Sequence, residues 1–178
     1  MDLIRCESIP LRSHWILVVI DVFSCRIAGF GVAGEYIDGS AVWRMFNQAI
    51  AGQSPPMRIS TDHDPLFRFH RWLANLRILD VEEIKSVPYA PMSHPFIERL
   101  IGTIRREYLE HTFFWNSIDL RRKLERFRAY YNDVRVRRCL NGTTPAICAG
   151  HSSPSTANLA HYAWKRHCDG LIETPVAA

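Results

Sequence analysis

An α/β fold, a mixed sheet with helices packed on it, is what this sequence predicts, on three observations. Three short strand-like runs with short links open the chain, strand and helix patterns alternate through residues 57–87, and two long amphipathic helices follow. At 178 residues the chain fits a single core.

The opening strands read as residues 2–8 (DLIRCES), 15–21 (WILVVID) and 26–32 (RIAGFGV), and their short connections imply an antiparallel meander. A helix follows in DGSAVWRMFNQAIAG, with Asp38 or Ser40 as its cap, Val42, Met45, Phe46, Ala49 and Ile50 as its apolar stripe, and Gly52 as its stop. MRIST is then a strand, residues 65–76 (PLFRFHRWLANL) a helix and VEEIKSV another strand, the alternation that builds a parallel layer. Residues 95–111 and 117–135 are expected as helices, and the stretch from Asn141 onward, with TTP and HSSPST, as a loop-rich surface tail.

The composition is that of a soluble globular protein, 47% apolar and 22% charged. The longest apolar run, Trp15 to Phe23, falls well short of the ~20 residues of a membrane helix, and no signal peptide precedes it. Cys6, Cys25, Cys139, Cys148 and Cys168 are scattered singly, which suggests neither a disulfide framework nor a zinc knuckle and fits a reducing cytosol. The net charge of +4 is unevenly spread: residues 99–138 carry eleven Arg or Lys against five Asp or Glu. That local excess marks a surface for a polyanion.

Several acids stand where chemistry is usually placed. In RISTDHDPLF, Asp64 precedes Pro65 and reads as a helix cap, whereas Asp62 ends a strand at the carboxyl edge of the sheet, a position that suits a metal ligand. In the helix from Pro95, Ile97, Leu100, Ile101, Ile104 and Tyr108 form one apolar stripe, while Glu98, Gly102 and Arg105 share the adjacent face. An unpaired carboxylate on the rim of a buried face is costly. A shared cation or a salt bridge to Arg99 or Arg105 removes that cost. From the first sheet, Asp2 and Asp21 are both available, and the local pattern does not choose between them.

These residues resemble the ribonuclease H-like catalytic core of retroviral-type integrases and insertion-sequence transposases, whose three acids run Asp, Asp, Glu. TDHD and IERLIGTIRRE supply the second and third, Asp62 and Glu98, with thirty-five residues between them as in the integrase branch. VVIDVFSCRIAGFGV is similar to the family's second and third strands, so the first acid falls on Asp2 and Asp21 becomes a structural residue. YYNDVRVRRCLNGTTPA resembles the stretch that closes many transposase cores. His63 and Asp64 replace the usual asparagine and glycine after the second acid, and His94 and Pro95 the usual pair before the third.

The resemblance implies a five-stranded ribonuclease H-like sheet, three antiparallel strands followed by parallel ones, flanked by helices. It implies a catalytic core over residues 1–147 with 148–178 as a carboxyl-terminal tail. It further implies two Mg²⁺ or Mn²⁺ ions, one held by Asp2 and Asp62 and one by Asp2 and Glu98, that serve nicking by water and then strand transfer by a 3′ hydroxyl. Arg105 and Gly102 are expected to meet DNA phosphate, and Arg99, Arg106, Arg121, Arg122 and Lys123 to extend the track. Element ends and target DNA are the implied partners, the protein is expected to be a homo-oligomer, and its compartment is the cytoplasm. Because only Met1 precedes Asp2, a truncated core that binds DNA or associates without catalysing is the alternative expectation.

Overall fold

The computed structural model describes residues 1–62, 64–85, 95–151 and 160–177. The chain divides into two compact units, one of residues 1–20 and 28–121, the other of 21–27 and 122–178.

In the first unit, β1 (Asp2–Glu7) pairs antiparallel with β2 (Ser13–Ile20), Asp2 opposite Val18 and Glu7 opposite Ser13, and the sheet order is β1-β2-β3 with β3 at Ile27–Ala33. β4 (Arg58–Thr61) pairs parallel with β5 (Glu82–Lys85). The two ladders meet where the Met1 ammonium donates to the Ser60 carbonyl at 3.0 Å.

Helix α1 (Gly39–Ala49) begins where Asp38 accepts the Ala41 N–H at 2.7 Å, so of the two expected caps Asp38 is the one used. Its buried face, Val42, Met45, Phe46 and Ala49, joins Leu17, Val19, Ile59, Phe67, Trp72 and Leu76 in the core. Trp72 stands edge-on to both Phe46 and Phe67, with ring centroids 5.3 and 5.5 Å away. α1 lies directly on β3, where Gly29 and Gly31 face the carbonyls of Ala49 and Met45. Gln48 and Gln53 reinforce the contact by binding the Val32 N–H and the Ala28 carbonyl, each at 2.8 Å.

The helix expected over 65–76 is divided. Asp64 caps a single 3₁₀ turn, Pro65–Arg68, the backbone is extended at Phe69 (ψ 135°), and α2 (His70–Ile78) starts afresh. The Phe69 ring packs against Gly39 at the start of α1, which draws the chain out of helical geometry at that residue. α3 (Pro95–Glu107) buries Ile97, Leu100 and Ile104 of its expected stripe, Ile101 is only half-buried, and the buried Tyr108 follows the helix, which ends one turn before the expected boundary.

α4 (Ser117–Asp133) continues into the second unit, which buries Phe127 and Tyr131. There the Asn132 amide clamps the Ile27 backbone, accepting its N–H at 2.9 Å and donating to its carbonyl at 3.0 Å. The stretch expected as a loop-rich tail holds regular structure. Thr144 caps the short α5 (Pro145–Cys148), and β6 (Tyr162–His167) and β7 (Ile172–Ala177) form an antiparallel hairpin. Left-handed backbone at Cys168, Asp169 and Gly170 makes its tight turn, and an ion pair from Arg126 to Asp169 holds the turn to α4. No described helix is long and apolar enough to cross a membrane.

Candidate active site

Asp2 opens β1 and Asp62 follows the last residue of β4, so the junction of the two ladders sets both acids beside the same group, the Met1 ammonium. Burial depresses the basicity of that ammonium, while the charges of Asp2 and Asp62 oppose the shift. Both carboxylates lie near the Met1–Ser60 bond. Each is half-buried and locally fixed: Asp2 Oδ1 accepts the Leu3 N–H at 2.7 Å, and Asp62 Oδ1 accepts the Asp64 N–H at 3.1 Å. Asp64 accepts the Leu66 N–H at 2.8 Å and is the cap its sequence context predicts.

Asp21 lies in the turn after β2. Its carboxylate accepts the N–H groups of Phe23 and Ser24 and the Ser24 hydroxyl, closing the turn after β2. This is the role of a structural residue.

Glu98 lies in the first turn of α3, exposed. Among the described residues it makes no ion pair with Arg99 or Arg105, the bland alternative for that carboxylate. Beyond α3 the Phe114 carbonyl accepts the Ile9 N–H at 2.9 Å, which ties that stretch to the loop after β1. Among the described residues no group of three or more His, Cys, Asp or Glu side chains is assembled to hold a metal ion. The all-oxygen donor set of Asp2, Asp62 and Glu98 suits a hard divalent cation in kind.

Among the expected DNA contacts, Arg99, Arg105, Arg106, Arg121 and Arg122 are exposed, and Gly102 and Lys123 half-buried. A Cβ at Gly102 would meet only the Arg106 guanidinium, at 3.9 Å. His63, and His94 before α3, lie outside the described residues.

Sequence reasoning missed Glu83. Its largely buried carboxylate accepts from the Thr61 hydroxyl at 2.7 Å, the Trp72 indole N–H at 3.0 Å and the Lys85 ammonium at 3.0 Å, and Lys85 also donates to the Phe67 carbonyl. This network pins the end of β4 one residue before Asp62. The signal was the alternation of VEEIK, which puts an acid and a base on one strand face beside a tryptophan.

Comparison with known proteins bears on the fold. Residues 79–145 match the integrase core domain family. The chain is 28% identical over 160 residues to an uncharacterized 39.2 kDa protein of insertion element IS476 from Xanthomonas euvesicatoria, a match covering 90% of this chain and 46% of that protein. The chain therefore spans less than half the length of this curated relative. The fold is that of the ribonuclease H-like integrase cores. A simian T-cell lymphotropic virus intasome in complex with a PP2A regulatory subunit aligns with TM-score 0.66 and 18% identity, over 98% of this chain and 64% of that one. The HTLV-2 integrase catalytic core domain in complex with magnesium, in a dimeric form, aligns with TM-score 0.61 and 17% identity, over 81% and 89%. A trimeric form of the same domain aligns equally well, at 0.61 and 18%, over 83% and 91%.

Proposed function

We propose that this chain is the catalytic core of a DNA transposase or integrase, a DNA strand transferase whose Asp2, Asp62 and Glu98 hold two Mg²⁺ or Mn²⁺ ions. The observation that carries this reading is the placing of Asp2 at the start of β1 and of Asp62 just past the end of β4, where the Met1 nitrogen donates to the Ser60 carbonyl and joins the two ends. Divalent ions at such carboxylates polarise a phosphate and activate the attacking oxygen. The chain's own residues orient the site. The Asp64 cap and the Glu83 network fix the corner at which Asp62 leaves the strand, and α3 carries Glu98 in its first turn. We take residues 1–147 as the core and 148–178 as an appended segment, and we place the protein in the cytoplasm, on DNA, as a homo-oligomer. The HTLV-2 cores described as dimeric and trimeric support the last point.

Phosphate contacts are assigned to Arg99, Gly102, Arg105 and Arg106 on α3 and to Arg121, Arg122 and Lys123 on α4. Such contacts position DNA and read little sequence. Binding to duplex oligonucleotides is expected to be weak, indifferent to sequence and salt-sensitive, with a log–log slope of about −0.9 for each phosphate neutralised. Fluorescence anisotropy across a salt series measures that slope, and an affinity unmoved by salt would remove these residues from the interface.

The activity is tested by nicking and strand transfer on supercoiled plasmid with a labelled oligonucleotide and Mg²⁺ or Mn²⁺. Joined products support the assignment; nicks alone indicate a nuclease. The alternative reading is a core that binds DNA or self-associates without catalysing. It predicts DNA binding with neither product.

A further inference from the structure

β6 reads YAWKRH, aromatic and basic residues interleaved with no acid. Alternation along the strand and its register with β7 sort these side chains onto two faces. One face is anchored. His167 lies in ring contact with Tyr130 of α4, centroids 5.4 Å apart, and shares a hydrogen bond of 2.8 Å with the Thr174 hydroxyl. With the Arg126–Asp169 ion pair this seats the hairpin on α4. Tyr162, Trp164 and Arg166 fall on the other face, Trp164 opposite Pro175 and Arg166 opposite Glu173. Along β7 the same division shows as half-buried Ile172, Thr174 and Val176 alternating with exposed Glu173 and Pro175. Tyr162 is 49% and Trp164 62% exposed, and their rings meet edge-on, 5.9 Å apart at 84°, so that ring faces stay open.

We propose that this outer face is a binding site for the unpaired bases of single-stranded DNA, with Tyr162 and Trp164 as stacking surfaces and Arg166 and the neighbouring Lys165 as contacts to the strand's phosphates. A base stacks on an aromatic side chain once it is free of a duplex, because a paired base keeps both π faces against its neighbours. The charges select this occupant. The hairpin's two acids are each paired, Asp169 with Arg126 and Glu173 with Arg166, and among the described residues Lys165 makes no ion pair. An apolar protein partner covering the aromatics would bury those cations at a desolvation cost, whereas a polyanion neutralises them. The Arg166–Glu173 pair is exposed, so exchange of its carboxylate for a phosphate costs little. Seating on α4 orders the ribbon before any strand arrives. This face lies apart in sequence from the α3 and α4 residues assigned to phosphate above, and it takes bases where they take the backbone. The choice of DNA over RNA rests on that reading; the stacking does not.

The test measures, by fluorescence anisotropy, binding of the whole chain to labelled oligo(dT), to oligo(U), to an abasic strand of equal length and to the matching duplex. Oligo(dT) is expected to bind about tenfold more tightly than the abasic strand, which offers the same phosphates without bases. Trp164→Ala and Tyr162→Ala, both at exposed positions, should each weaken oligo(dT) binding by about tenfold and leave abasic binding, duplex binding and the thermal melt unchanged. Trp115→Ala is the control, since that indole is as exposed but follows no basic strand and its backbone N–H is held by the Asp119 carboxylate; its loss should leave the preference in place. Asp62→Asn, inactive on the reading above, should bind oligo(dT) as the parent does, which separates failure of the stacking site from failure of the catalytic one. Undetectable binding of oligo(dT), equal affinity for oligo(dT) and the abasic strand, a preference for bases that survives both aromatic substitutions, duplex affinity that falls in step with oligo(dT), or tighter binding of oligo(U) than of oligo(dT) would each overturn the proposal.

Discussion

Asp62→Asn and Glu98→Gln are each expected to abolish metal-dependent nicking and strand transfer while leaving the fold intact. Loss of a group that merely orients a metal ligand already costs about 10–100-fold in metal affinity or activity. Replacing a ligand itself should therefore exceed about 100-fold. Asparagine keeps the oxygen that accepts the Asp64 N–H at the β4 corner, and Glu98 is exposed, so melting of either variant should change by no more than about 1 kcal/mol. Plasmid assays beside thermal melts of all three proteins separate the cases. Full activity in either variant removes that acid from the site, and lost activity with a collapsed melt returns it to a structural role.

Gly31→Ala has the opposite profile, a large effect on folding at a residue remote from chemistry. A methyl group on Gly31 would sit 2.2 Å from the Met45 carbonyl oxygen, a backbone atom in the middle of α1. Its neighbour Gly29 presses on the Ala49 carbonyl in the same way, at 1.9 Å, so α1 cannot rock away from one contact without meeting the other. Relief requires lifting α1 from β3, which unpacks Val42, Met45 and Phe46. Overpacking of this kind costs about 3 kcal/mol, of the 5–15 kcal/mol typical of a domain. At roughly 2–4 °C per kcal/mol for a chain of this size, melting should fall by about 10 °C. A thermal melt of Gly31→Ala checks it, and an unchanged midpoint would mean that helix and strand are further apart.

What was legible in the sequence was local. The Asp64 cap, the opening strands and most of the buried stripe of α3 are written in neighbouring residues, and so is the choice of Asp38 or Ser40 to cap α1, which falls on Asp38. The break at Phe69 was not, because it arises from a ring packing on Gly39, thirty residues earlier. The hairpin of β6 and β7 escaped because most of β6 is exposed and therefore lacks an apolar alternation. At the site, the order and spacing of Asp62 and Glu98 were readable, but the junction of β1 with β4 through the Met1–Ser60 bond joins residues fifty-nine apart and has no local signal.

The central claim, that Asp2, Asp62 and Glu98 together hold divalent ions, is tested most directly by titrating the chain with Mn²⁺ and following the free ion by electron paramagnetic resonance. The account predicts that the parent chain depletes the free-ion signal and that Asp2→Asn, Asp62→Asn and Glu98→Gln each weaken binding by about tenfold or more. A parent chain that leaves the signal untouched, or three variants that bind as the parent does, would contradict it.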